Sequence, residues 1–147
     1  MLKNIISYIF IYMLFVGCEM PSEPEQGCPD CFLEMTSNLE VDENGYHHLY
    51  CDNNNQTFKQ LYANIGYGKD YELVGFTSDT EYCFEWNGTI QCSNVVNGSS
   101  YTDIDGVATT IIGVYQQHIG DTIKVYGGYY DWYGEQYLDS LEVIINE

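Results

Sequence analysis

From residue 32 onward the apolar residues fall in short alternating runs, and Gly, Asn and Asp separate the runs. Spacing of two puts them on one face of a strand, whereas a helix would space them three and four apart. Leu39 and Val41 lead into the turn Asp42-Glu43-Asn44-Gly45, and Tyr46 to Tyr50 continues as a strand. Asp52 to Asn55 is a further turn. Thr57 to Ile65 then aligns Leu61, Ala63 and Ile65, and Tyr71 to Thr77 aligns Val74 and Phe76. Asn97 to Asp105 reads as a polar loop. Gly106 to Val114 offers Ala108, Thr110, Ile112 and Val114 to one side, and Ile111 on the other side implies fuller burial than the neighbouring strands have. Thr122 to Tyr129 points Ile123 and Val125 inward and Lys124 and Tyr126 outward. Tyr137 to Ile145 closes the chain with Leu141, Val143 and Ile145 inward. Such evenly spaced short strands predict an all-β sandwich or barrel.

The sharpest local expectation lies at Glu81 to Cys92 (EYCFEWNGTIQC). Asn87-Gly88 is the strongest two-residue hairpin signal, because a type I′ turn needs positive φ at both positions. Counting outward, Trp86 faces Thr89, Glu85 faces Ile90, Phe84 faces Gln91 and Cys83 faces Cys92. Alternation makes the cysteines a non-hydrogen-bonded pair, whose Cα atoms come to ~4.5 Å. That lies within reach of a disulfide. A Cys83–Cys92 bridge is therefore predicted, worth on the order of 2–3 kcal/mol by loop closure.

The N-terminus has a different character. Lys3 supplies a positive charge, Ile5 to Val16 is nearly all apolar, and Gly17 precedes Cys18. That is the layout of a secretory signal, and the run is shorter than the ~20 residues a bilayer span needs. A Cys directly after a small residue resembles the lipobox of bacterial lipoproteins. The resemblance implies cleavage after residue 17 and acylation of Cys18, hence a membrane partner through a lipid anchor. Residues 18–31 contain Pro21 and Pro24 and read as the lipidated cysteine and a flexible tether. Residues 32–147 form the single folded domain. The expected address is the bacterial envelope, at the outer membrane or cell surface.

Charge narrows the partners. The chain has 22 Asp and Glu against 4 Lys and Arg together, for a formal net charge of −18. Such a surface repels phosphate backbones and excludes nucleic-acid binding. The 15 Tyr and the 45% hydrophobic share argue for a folded domain despite that charge. Of the six Cys, five remain once Cys18 carries lipid, so at least one is free or paired between chains.

Four patterns in order carry a family resemblance: Leu61-Tyr62-Ala63, Val74-Gly75-Phe76-Thr77-Ser78, Thr102-Asp103-Ile104-Asp105-Gly106-Val107-Ala108-Thr109-Thr110, and Gly120-Asp121-Thr122-Ile123-Lys124-Val125. Together they resemble bacterial Ig-like domains of the invasin and intimin type. The resemblance spans roughly residues 57–125 and implies an antiparallel Ig-like β-sandwich serving as a spacer or adhesion module. The motif residues are structural in that family, so no active site comes with it. The hairpin at 83–92 and the aromatic run after Tyr126 depart from its pattern.

Candidate chemistry is sparse. Cys28-Pro29-Asp30-Cys31 is a C-x-x-C that offers a redox pair, or structural bridges Cys28–Cys31 or Cys31–Cys51. His47 and His48 are adjacent on a strand and point to opposite faces, which separates them as metal ligands. His118 lies in a loop. Asp103-x-Asp105-Gly106 lacks the first and last ligands of a calcium loop and reads as a turn. No cofactor, no metal and no enzymatic activity are expected. The richest stretch is Tyr126 to Tyr137, YGGYYDWYGEQY. Its Tyr129, Tyr130, Trp132, Tyr133 and Tyr137 around Asp131 and Glu135 offer rigid amphipathic contact area. Such a surface suits a glycan or an envelope protein. A strand-covering role for the same rings is the alternative, as is a glycan-active pair at Asp131 and Glu135.

Overall fold

The computed structural model describes residues 31–52, 56–66, 68–96 and 98–147. The signal peptide, Cys18, the tether and Cys28 lie outside those residues. Eleven strands follow in chain order among the described residues: β1 (Glu34–Ser37), β2 (Glu40–Val41), β3 (His47–Tyr50), β4 (Thr57–Asn64), β5 (Leu73–Ser78), β6 (Glu81–Trp86), β7 (Thr89–Asn94), β8 (Ser99–Tyr101), β9 (Val107–Val114), β10 (Thr122–Tyr130) and β11 (Gln136–Asn146). One 3-10 turn, Gln116–His118, links β9 to β10.

Nine of these strands make a two-sheet sandwich, and β6 and β7 form a separate two-stranded hairpin. One sheet has the order β1-β4-β9 and is antiparallel throughout. The other has the order β2-β3-β11-β10-β5-β8. There β3 runs parallel to β11, and the remaining pairs are antiparallel. Strands β1, β4 and β9 against β5, β10 and β11 reproduce the immunoglobulin partition of A, B and E against C, F and G.

Alternation explains the core. Leu61 and Ala63 of β4 meet Thr110 and Ala108 of β9 in register and turn inward with them. Ile123 and Val125 of β10 pair with Val143 and Leu141 of β11 and close the core from the other sheet. Each such Val, Leu or Ile stabilises the fold by roughly 1.5–3 kcal/mol on burial.

Two sequence expectations need correction. The polar loop 97–105 contains β8, whose Tyr101 and Ser100 pair with Leu73 and Val74. An edge strand is held by backbone bonds and needs no apolar alternation, so its pattern is silent. Ile111 is exposed, so the outer face of β9 is only partly covered. The β6–β7 hairpin stands over that face and leaves a cleft of about 240 Å³ lined by Phe58, Tyr82, Phe84, Ile111 and Tyr115.

The hairpin itself has the expected register, from Trp86↔Thr89 to Cys83↔Cys92. Asn87 and Gly88 have φ of 52° and 74°, as a type I′ turn requires. Cys83 and Cys92 are disulfide-bonded, with Cα atoms 4.0 Å apart.

Three loops gather at one end of the sandwich: β4–β5, β8–β9 and β10–β11. Thr102 ties the first two together. Its carbonyl accepts from Tyr71 N at 3.1 Å, its amide donates to Glu72 O at 2.9 Å, and its hydroxyl donates to Lys69 O. Ile65 N donates to Gly106 O at 3.0 Å beside them. The chain also enters the domain here, since Glu34 at the start of β1 pairs with Asn64 at the end of β4.

Candidate functional site

The aromatic run becomes the end of β10, a five-residue loop and the start of β11. Inward alternation continues from Ile123 and Val125 to Tyr129, which exposes 2% of its surface. Tyr129 pairs with Tyr137 across the strands, and their rings stack with centroids 5.3 Å apart. Tyr130, of opposite parity, points out. Beyond it Trp132 is 91% exposed, Tyr133 66% and Tyr130 62%. The sequence-nominated set therefore divides: Tyr129 packs inside, Tyr137 is half-buried against it, and Tyr130, Trp132 and Tyr133 form the exposed surface.

Asp131 holds the loop. Its amide donates to Glu135 O at 3.0 Å, and its carbonyl accepts from Gly134 N at 3.0 Å. Its Oδ1 accepts from the amides of Tyr133 and Glu135, both at 2.9 Å. Gly134 takes φ +82°. This is a type I turn closed by a glycine bulge, reinforced by an Asx turn.

The same bond set recurs twice. Asp42 bonds Asn44, Gly45 and Tyr46 in this way, and Asp103 bonds Asp105, Gly106 and Val107. All three loops read Asp-x-x-Gly. The calcium-loop pattern at Asp103 is thus a turn, with one carboxylate oxygen already holding two amides.

Asp131 and Glu135 converge on one donor. Both accept from the Tyr137 hydroxyl, Asp131 Oδ2 at 3.4 Å and Glu135 Oε2 at 3.1 Å. Burial and the neighbouring Glu135 carboxylate push the Tyr137 hydroxyl up to about 12. It stays protonated as their donor across the neutral range.

Beneath the loop lies a cleft of about 320 Å³, lined by Cys31, Lys69, Asp70, Glu72, Tyr129, Trp132 and Tyr133 among others. The Lys69 ammonium bonds Tyr129 Oη at 3.1 Å and sits 5.6 Å from that ring's centroid. Lys69 and the Tyr129 hydroxyl both donate to Cys31 Sγ, the latter at 3.2 Å. Cys31 is disulfide-bonded, while Cys51 is a buried free thiol. That overturns the Cys31–Cys51 alternative; Cys28, the other partner considered, lies outside the described residues. Nothing local in the sequence pointed to Lys69 or Tyr71, because tertiary folding alone brings their loop under Trp132.

The remaining nominated groups are occupied elsewhere. His47 Nδ1 bonds Ser37 Oγ at 2.7 Å, and His48 bonds Asn146 and Asp42. His118 is buried at the 3-10 turn, its Nδ1 accepting from Tyr115 N at 3.0 Å. Glu81, Cys83 and Cys92 cluster closely enough to suggest a metal, but both sulfurs are spent in the disulfide.

No family model matches the chain, and no curated protein matches it. Among solved structures it is similar to Spo0M, a sporulation control protein from Bacillus subtilis, at 8% identity and a TM-score of 0.33. The match covers 80% of this chain and 49% of that one, so the chain spans about half that protein's length.

Proposed function

We propose that the chain is an envelope protein, lipid-anchored at Cys18, whose Ig-like sandwich is a non-catalytic binding module. Its partner meets Tyr130, Trp132 and Tyr133 at the β10–β11 loop. One observation carries this reading. The Asp-x-x-Gly turn occurs three times with the same bonds, and only Asp and Gly supply side-chain contacts or conformation that the turn needs. The two tip positions hold Glu43-Asn44 in the first copy, Ile104-Asp105 in the second and Trp132-Tyr133 in the third. The fold does not require two large aromatics there, and leaving them in water is unfavourable. Rigid aromatics on a preorganised loop are what binding surfaces use, because little conformational entropy is lost on contact.

Arrays of glycans and peptides, probed with the wild-type domain and Trp132→Ala, test the reading. The variant is expected to lose at least tenfold in affinity for whatever the wild type binds. Undiminished binding by Trp132→Ala together with Tyr133→Ala would sink it. Membrane fractionation of Cys18→Ala, expected to release the protein into the soluble fraction, checks the anchor.

A further inference from the structure

We propose that the three-loop end of the sandwich is a docking surface for a basic polypeptide segment, gripped by Lys or Arg side chains over Trp132 and Tyr71. This names the partner class for the site proposed above and rests on that reading. The exposed apolar side chains come from separate loops: the aromatic Tyr71 from β4–β5 at φ +61°, the aliphatic Ile104 from β8–β9, and the aromatic Trp132 and Tyr133 from β10–β11. Thr102 and the shared cleft lock these loops together, so the patch is one rigid surface.

The charge around it has one sign. Asp70, Asp103, Asp105 and Glu135 are exposed on the same loops, and among the described residues none is in an ion pair. Glu72 and Asp131 lie half-buried between them. The one lysine in the cleft, Lys69, is turned inward onto Tyr129 and the Cys31 sulfur. An anionic ligand meets net repulsion here, since the carboxylates outnumber the single inward-turned lysine. A neutral ligand would leave the carboxylates unused. A cation satisfies both features, because ring faces attract it through their quadrupole and carboxylates through their charge. A polypeptide fits better than a lone small cation, since the aromatics are divided between two loops, with Ile104 on a third, and one small cation would meet only one of them.

The test titrates synthetic twelve-residue peptides of net charge +4, 0 and −4 against the full domain in a Trp86→Phe background, reading Trp132 fluorescence. The +4 peptide is expected to bind, and the others are not. Trp132→Ala (read by calorimetry) and Asp70→Asn with Glu135→Gln should each weaken binding at least fivefold. Glu40→Gln with Glu43→Gln, an equal charge change at the β2 edge, should alter it less than twofold. Equal loss from the β2-edge pair would mean diffuse attraction and overturn the proposal. Glycan binding lost in Trp132→Ala, with no peptide binding, would overturn it while leaving the aromatic-turn reading standing. So would co-sedimentation with phosphatidylethanolamine vesicles and no peptide binding. Peptide binding untouched by Trp132→Ala would remove both.

Discussion

Single residues here are fixed by backbone geometry more than by chemistry. Gly106 and Gly134 close equivalent turns with φ of +77° and +82°. A Cβ on Gly134 would meet nothing within 4 Å, whereas one on Gly106 would lie 1.8 Å from Gly66 O. Gly134→Ala should therefore cost only left-handed strain, ~1–2 kcal/mol. Gly106→Ala must also push the β4–β5 loop away, and a loss of ~2–4 kcal/mol is expected. Thermal melts of the two variants side by side decide it, since equal shifts would mean that the Gly66–Gly106 contact is not tight. At this scale much of the site was legible. Tyr130 is exposed as expected, but Tyr129, grouped with it in the contact set, belongs to the core, because the inward parity of Ile123 and Val125 runs on to it. The repeated Asp-x-x-Gly identifies Asp131 as a turn residue before any catalytic reading is needed. Lys69 was not legible, because its meeting with Tyr129 and Cys31 joins residues 38 and 60 positions apart.

Strands whose side chains alternate between core and solvent were readable, and the others were not. β4, β9, β10 and β11 carry Leu, Ala, Thr, Ile and Val at alternate positions, and the residues the pattern turned inward are buried; Tyr129 of β10, which it assigned to the contact surface, is buried with them. β8 escaped notice because Ser99, Ser100 and Tyr101 pack nothing into the core. The parallel pairing of β3 with β11 was equally silent, since it joins residues as far apart in sequence as His47 and Val143. The β6–β7 hairpin was legible for another reason: Asn-Gly fixes its register and hence its disulfide. That bridge has a mechanical role. A lone two-stranded hairpin is marginal in water, and this one touches the sandwich near its base, through Tyr82, stacked 3.9 Å from Tyr115, and through Asn94, whose side chain bonds Thr77 and Ser78 of β5. Replacing Cys83 and Cys92 by Ser should cost ~2–3 kcal/mol of global stability if the hairpin folds with the sandwich. If instead it opens alone, hydrogen exchange would speed up at residues 81–94 while β10 and β11 stay protected. Contacts at the base alone, with the rest of the hairpin exposed, favour the second pattern. Uniform loss of protection across both sheets would contradict it.

Across the whole molecule, pH sets two effects against each other. A net charge of −18 makes the folded state repel itself, and protonating carboxylates relieves that strain as pH falls toward the pI of about 4.1. Histidines act in the opposite sense and at higher pH. Burial pushes His118 down, with Asp121 partly opposing, and burial pushes His47 down as well. His118 exposes 3% of its surface, and its Nε2 has no hydrogen-bond partner among the described residues, so an added proton would be buried unpaired. A folded-state value below the unfolded one means that the neutral form contributes stability. That contribution is complete above the unfolded value of ~6.5 and is lost as pH falls through the depressed folded values. The melting temperature should therefore hold between pH 8 and 7 and fall between about 6.5 and 5, before most carboxylates titrate. Each histidine can add at most ~1.4 kcal/mol per pH unit to that slope. His118→Asn supplies an amide oxygen for the Tyr115 N–H and cannot be protonated, so it should flatten the fall while leaving the pH 8 value near that of the wild type. If stability instead rises steadily from pH 7 to 5 in both proteins, relief of self-repulsion dominates and the buried histidine is not the controlling group.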